Sequence, residues 1–150
     1  MARVIPAALV RSERGAELVE MALVTPILLL LVMGIVDFGF LFQRYVVLTN
    51  AAVEGARVAS LPGYTAADAE ARVQEYATAG GVPGAVTAVA TPVTLPGAGG
   101  GTWPGMQMTV THVYTLQYIT PLVTLVGGST AASITLTARS TMRRQVAAAP

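Results

Sequence analysis

The stretch MALVTPILLLLVMGIV, residues 21–36, carries Thr25 as its single polar side chain, and after Asp37 the apolar run resumes with Phe38–Phe42. A helix from Leu18 to Phe42 would be about 37 Å long at 1.5 Å per residue, enough to cross a hydrocarbon core of about 30 Å. The segment therefore reads as a membrane span, drawn at residues 16–43, with Asp37 as an intramembrane polar residue near one interface. Arg3, Arg11 and Arg14 precede the span while Arg44 and Arg57 follow it, so the positive-inside bias favours a cytoplasmic N-terminus only slightly.

Working outward toward the C-terminus, residues 44–60 contain no helix breaker except Gly55, and Tyr45, Leu48, Ala52, Ala56 and Ala59 recur at three- and four-residue steps. The spacing predicts that the membrane helix continues unbroken into a head domain, residues 44–150, and that the small residues Ala52, Gly55, Ala56 and Ala59 let another element of that domain approach closely. Pro62-Gly63 stops this helix. Thr65 and Asp68 have the spacing of a capping box, with Asp in place of Glu, ahead of a short amphipathic helix at 66–79 that ends at Gly80-Gly81. Beyond residue 84 the period changes to two. Strands are expected at about 86–95, where Val89, Val93 and Leu95 alternate with smaller residues, at 106–118, where Met106, Met108, Val110, His112, Tyr114, Leu116 and Tyr118 share a face, and at 130–142. Leu95–Gly105, rich in glycine, is expected to be a long flexible hairpin tip. The expected class is α+β: a long N-terminal transmembrane helix, a short second helix and a three-stranded antiparallel sheet.

Composition agrees with a membrane setting. Apolar residues make up 53% and charged residues 11% of the 150, against roughly a quarter charged in an ordinary soluble domain. The absence of cysteine excludes disulfides, thiolate metal sites and thiol catalysis. Every Asp and Glu lies between Glu13 and Glu75, and the later half carries only Arg139, Arg143 and Arg144. No nucleophilic triad can be assembled, and neither a nucleophile elbow nor a phosphate loop is present, so an enzyme is not expected. His112 is a lone histidine without a companion His or Cys, and no metal or other cofactor is expected. The three C-terminal arginines are not interleaved with aromatics, so nucleic acid is not an expected partner. Ile119–Val126 is too apolar for a free loop; it rests on the bilayer, on a partner, or on the core.

On the N-terminal side of the span stands Arg14-Gly-Ala-Glu-Leu-Val-Glu20. An ionised carboxylate inside an apolar helix costs on the order of 2.5 to 3.5 kcal/mol by insertion scales. Two readings of Glu20 stand. It lies in the headgroup region and reaches water through its stem, or cleavage between Gly15 and Ala16 frees an ammonium about one turn away that neutralises it, in its own chain or a neighbouring one. Pro26, which lacks an N–H, weakens the helix near Ala22 and is a candidate kink. Asp37 either meets an arginine of a partner or reaches water at the interface, the second being the simpler expectation.

Gly15-Ala-Glu-Leu-Val-Glu20 resembles a type IV prepilin-like processing site. Together with Pro26, Asp37-Phe-Gly39 and the run Asn50-Ala-Ala-x-Glu-Gly-Ala-Arg57, it is similar to the TadE-like pseudopilins of the tight-adherence (Flp) type IVb pilus system, over residues 14–60. The C-terminal SITLTARSTMRR also resembles that family's last strand. Glu17, at the second position after the cleavage point, departs from the pattern. The resemblance implies a pilin-like head, a cytoplasmic leader at residues 1–15 removed by a prepilin peptidase after Gly15, and Glu20 as the residue of processing and assembly. It also implies a single-pass protein of the cytoplasmic membrane with its C-terminal domain outside, serving as a minor pseudopilin. The implied partners are the membrane, the prepilin peptidase, other pilin-like subunits and the pilus assembly platform. The alternative is an uncleaved bitopic envelope protein with a small binding domain. Secretion with the apolar run as a signal peptide is a third reading, against which the length of the run argues.

Overall fold

The computed structural model describes residues 13–125, 127–128 and 133–145. The start of the leader, Val126 and residues 130–132 of the last expected strand lie outside the described residues. Helix α1 runs from Glu13 to Ser60 as one element of 48 residues with Pro26 inside it. Helix α2 spans Ala66–Ala79. Strands β1 (Thr87–Pro96), β2 (Thr102–Thr115) and β3 (Ser133–Arg143) form an antiparallel meander with β2 central, and a short helix α3, Ile119–Leu125, stands between β2 and β3. The class is thus the expected α+β arrangement of long helix, short helix and three strands, with α3 as an addition.

The membrane half and the head half of α1 are separated by burial. An 18-residue window of its apolar part has a mean hydropathy of 2.5 and no buried residue, the opposite of a helix at the centre of a soluble core. From Leu48 onward the same helix is covered: Leu48, Ala51, Ala52 and Ala56 are fully buried beneath the sheet and α2. The small-residue stripe faces its own head. A Cβ built on Gly55 would stand 2.4 Å from Val73 Cγ2 of α2 and 3.0 Å from Met108 Cε of β2, so glycine marks the point where three elements converge.

Thr65 caps α2 by the anticipated box: its hydroxyl accepts from the Asp68 N–H, and Asp68 accepts from the Thr65 N–H at 2.8 Å. Shortening Glu to Asp does not prevent the reciprocal bond. Ala69, Val73 and Ala77 turn inward against α1 and join the core that also holds Met108, Val110 and Tyr114 of β2 and Leu136 and Ala138 of β3. The open edge of β1 is partly closed by α2, since Glu70 accepts from the Ala90 N–H and Gln74 from the Val86 N–H, which blunts a surface that could pair with another strand.

Three expectations about the strands change. On β1 the residues packed against the core are Ala88 and Ala90, not Val89, which is 49% exposed; small residues stand where α1 and α2 approach the strand, and Val89 goes outward while Val93 and Leu95 are half-buried. The hairpin tip is short, because pairing continues to Pro96 opposite Thr102. Gly97 closes the turn by donating to Gly101 O at 2.7 Å, and Gly99 and Gly100 take φ of +71° and +81°, which glycine adopts at little cost. The central strand ends at Thr115 rather than at residue 118, because the N–H groups of Gln117, Tyr118 and Ile119 go elsewhere, as described next.

Candidate functional site

Gly15 and Ala16 occupy the first turn of α1, and both are exposed. Glu17 and Glu20 follow and are exposed too. Among the described residues Glu20 has neither a hydrogen-bond nor an ion-pair partner. Its position beside Leu18 and Met21, exposed at 70% and 63%, is that of an acid on a surface otherwise suited to lipid or to neighbouring helices.

Asp37 is placed in a way the sequence did not anticipate. It is 1% exposed, so the expectation of an acid reaching water is wrong. The chain between β2 and α3 folds over it. Gln117 N–H donates to Oδ1 at 3.0 Å, Tyr118 N–H to Oδ2 at 3.1 Å and Ile119 N–H to Oδ2 at 2.8 Å. The Tyr114 hydroxyl lies 3.1 Å from Oδ1 and 3.2 Å from the Asp37 carbonyl oxygen. Amides at the start of a helix have no partner within it, and here one carboxylate from α1 satisfies those at the head of α3. A negative charge at that end also opposes the helix dipole favourably. A buried carboxylate is costly unless hydrogen-bonded on all sides, and four donors meet that demand.

Arg44, two turns beyond Asp37, joins this cluster through an intermediary. Its guanidinium carbon lies 4.5 Å from the centre of the Tyr114 ring, within cation–π range. Tyr114 therefore faces the acid with its hydroxyl and the base with its ring. Beneath it, Tyr118 stacks on Phe40 with ring centres 5.5 Å apart. The set Asp37, Phe40, Arg44, Tyr114 and Tyr118 clamps the head to the helix at the level where the apolar span ends. The sequence offered one signal for it: an acid in a span needs partners, and Tyr114 and Tyr118, on the apolar face expected for residues 106–118, carry polar tips.

His112 lies on the buried face of β2, 9% exposed. Burial first, and the nearby Arg44 second, hold its pKa below the ordinary imidazole value, against a backbone hydrogen bond with Ala85. Its Nε2 has no hydrogen-bond partner among the described residues. Among the described residues no group of three or more His, Asp or Glu could hold a metal ion. Arg143 is occupied by Trp103, its guanidinium carbon 3.5 Å from the ring centre.

A second polar group lies at the far end of the head, where an open cleft of about 460 Å³ is lined by Glu54, Arg57, Tyr64, Asp68, Arg72 and Glu75. Glu54 accepts from Arg57 at 2.8 Å and from Arg72 at 3.3 Å, and Arg72 also reaches Glu75 at 2.8 Å. The bond from Arg57 is the main cause that brings the Glu54 pKa from 4.5 down to about 2, against desolvation. A carboxyl group depressed on folding stabilises the fold above its unfolded pKa and loses that contribution as pH falls through the folded value. The arginines are 56% and 41% exposed, so the effect is modest. Between pH 5 and pH 2 the thermal midpoint of Glu54→Gln is expected to fall by a few degrees less than that of the native chain. Equal slopes for the two proteins would show that the Glu54 pairs do not couple to folding. Asp68, held below its ordinary value by its Thr65 bonds, is present in both proteins and cancels in the comparison.

Residues 15–57 match the family model described as TadE-like protein. The match begins at the glycine of the exposed Gly15–Ala16 bond and takes in Glu20, Pro26, Asp37 and the head half of α1 through Arg57; the sheet lies beyond it. No curated protein and no solved structure matches the chain.

Proposed function

The chain is TadE-like across residues 15–57, and on that premise we propose that it is a minor pseudopilin of a tight-adherence (Flp) pilus system, held in the cytoplasmic membrane by α1 and cut after Gly15 by a prepilin peptidase. The observation that carries this reading is the coincidence of three features in one segment: the family match starts at Gly15, Gly15 and Ala16 are exposed, and the apolar span that follows holds an acid, Glu20, with no partner among the described residues. The leader of residues 1–15 stays on the cytoplasmic side, residues 16–43 cross the membrane, and the head of residues 44–150 stands outside. Cleavage gives Ala16 an ammonium for which Glu20, in the same or a neighbouring subunit, is the acceptor, and that pair sets the axial register among packed helices. Pro26 leaves the Ala22 carbonyl without its usual donor and lets the helix bend as it leaves lipid for a fibre. The role is structural: the head partners other pilin-like subunits and the assembly platform.

N-terminal sequencing of the protein from membranes tests the reading. The expected start is Ala16 in cells with the peptidase and Met1 or Ala2 in cells without it, with Gly15→Leu uncut in both. Glu20→Leu is expected to be cut normally yet not to co-isolate with the other pilin-like subunits. A native N-terminus at Met1 or Ala2 in cells that assemble pili would instead make the protein an uncleaved bitopic anchor, and normal co-isolation of Glu20→Leu would remove the register role.

A further inference from the structure

We propose that α3 is a second membrane element, a short re-entrant helix that the head inserts into the bilayer beside α1, with lipid acyl chains against its outward face. The inference concerns where the head sits and is independent of whether the leader is removed.

The position of α3 is the first ground. It does not cover the head; it descends along the span. Ile119 Cδ1 lies 3.8 Å from the place a Cβ on Gly34 would take, and Leu122 and Leu125 line a groove of about 470 Å³ whose other walls include Met21, Pro26 and Leu29 of α1. With Asp37 at one interface, twenty residues of helix back to Leu18 measure about 30 Å, the thickness of the hydrocarbon core. Helix α3 lies within that interval.

The second ground is its hydrogen bonding. In hydrocarbon every backbone polar group needs a partner from the protein, and α3 has the arrangement such a setting demands. Asp37 takes the Ile119 amide that opens it and the Gln117 and Tyr118 amides just before it. Pro121, in the first turn, has no N–H to satisfy. Thr120 donates its hydroxyl to Leu116 O and Thr124 to Pro121 O, so both polar side chains fold back onto the backbone. At the other end Gly127, with φ +84°, donates to Thr124 O at 3.1 Å, and Gly128 donates to Val123 O at 2.9 Å, the paired bonds of a Schellman cap. A seven-residue helix in water could leave these groups to solvent.

The third ground is what α3 exposes. Leu125 is 83% exposed, more than any other large apolar residue among those described, and no Asp, Glu, Lys or Arg occurs between Glu75 and Arg139. The outward face of α3 is continuous with the lipid-facing surface of α1, and that continuity identifies acyl chains, rather than a separate protein, as its occupant.

The chain contains no cysteine, so a single reporter needs no background removed. Leu125→Cys, Leu31→Cys in the span and Val89→Cys on the outer face of β1 are made in the full chain and reconstituted into phosphatidylcholine–phosphatidylglycerol vesicles. Folding is checked by a Trp103 fluorescence melt superimposable on the native one. A charged, membrane-impermeant maleimide is expected to react with Leu125→Cys at least about tenfold more slowly than with Val89→Cys, since neither a thiolate nor a charged reagent is stable in hydrocarbon. A fluorophore attached at Leu125→Cys before reconstitution is expected to be quenched by nitroxide-labelled lipid as strongly as one at Leu31→Cys. Reaction as fast as at Val89→Cys would overturn the proposal. So would protection from the maleimide without quenching by lipid, which would mean that protein, such as a second copy of the chain, covers the helix.

Discussion

Asp37→Ala is expected to lower the thermal midpoint of the detergent-solubilised protein by about 15 °C, the equivalent of roughly 3–5 kcal/mol for a head of this size. The carboxylate accepts from Gln117, Tyr118 and Ile119 N–H and from the Tyr114 hydroxyl in a site 1% exposed. Removing it leaves three amides without their acceptor, while the Tyr114 hydroxyl keeps only the Asp37 carbonyl oxygen, and an unmade hydrogen bond in a covered site costs more than a made one returns. Asp37→Asn preserves the volume but turns an NH₂ group toward N–H donors, and its expected loss is about half as large. Tyr114→Phe removes one donor and leaves the three amides served, so it is expected to cost least, about 1 kcal/mol. The melt is followed by the fluorescence of Trp103, the single tryptophan. A midpoint for Asp37→Ala within about a degree of the native value would mean that the cluster does not hold the head to α1. Protease cutting between Thr115 and Ser133 provides a local check, because loss of the clamp frees that connection first.

Gly55→Leu is the second large effect. The Cβ alone would come within 2.4 Å of Val73 Cγ2 and about 3 Å of Met108 Cε and Cγ, and three more heavy atoms have nowhere to go between α1, α2 and β2. Overpacking of a closed core costs about 3 kcal/mol, which predicts a midpoint lower by roughly 10 °C. Gly55→Ala is a finer test. Alanine gains about 1 kcal/mol of helix propensity over glycine but must displace the Val73 methyl. Paired with Val73→Ala, the clash is gone and the propensity gain is kept, so the double variant is expected to be more stable than the sum of the two single changes. Strict additivity, or a Gly55→Leu protein as stable as the native one, would show that α2 yields to the added volume without cost.

How much of this was legible beforehand follows from the range of the interactions involved. The span, the run of helix beyond it, the Thr65–Asp68 cap and the alternation of β2 and β3 rest on contacts within a few residues along the chain, and composition and period report them directly. The inward parity of β1 failed for the opposite reason: bulky Val89 points out and Ala88 and Ala90 point in, because the space under that strand is set by how closely α1 and α2 approach it. The end of β2 at Thr115 was equally hidden, since the bonds that break the ladder run to a residue some eighty positions earlier.

By itself, then, the sequence determined that the chain has one apolar helix long enough to cross a membrane, a head of α+β class attached through the same helix, and a Gly15–Glu20 segment similar to a prepilin cleavage site. Those conclusions depend on transfer free energies and on local periodicity, which are properties of a segment. Only the tertiary structure decided that Asp37 is an internal partner of the head rather than an acid at the water's edge, that Arg44 meets it through Tyr114, and that Ile119–Leu125 lies along the span. Each of these depends on where a distant backbone amide, ring or hydroxyl is brought, and one-dimensional spacing carries no record of that distance until the sheet and the long helix have packed.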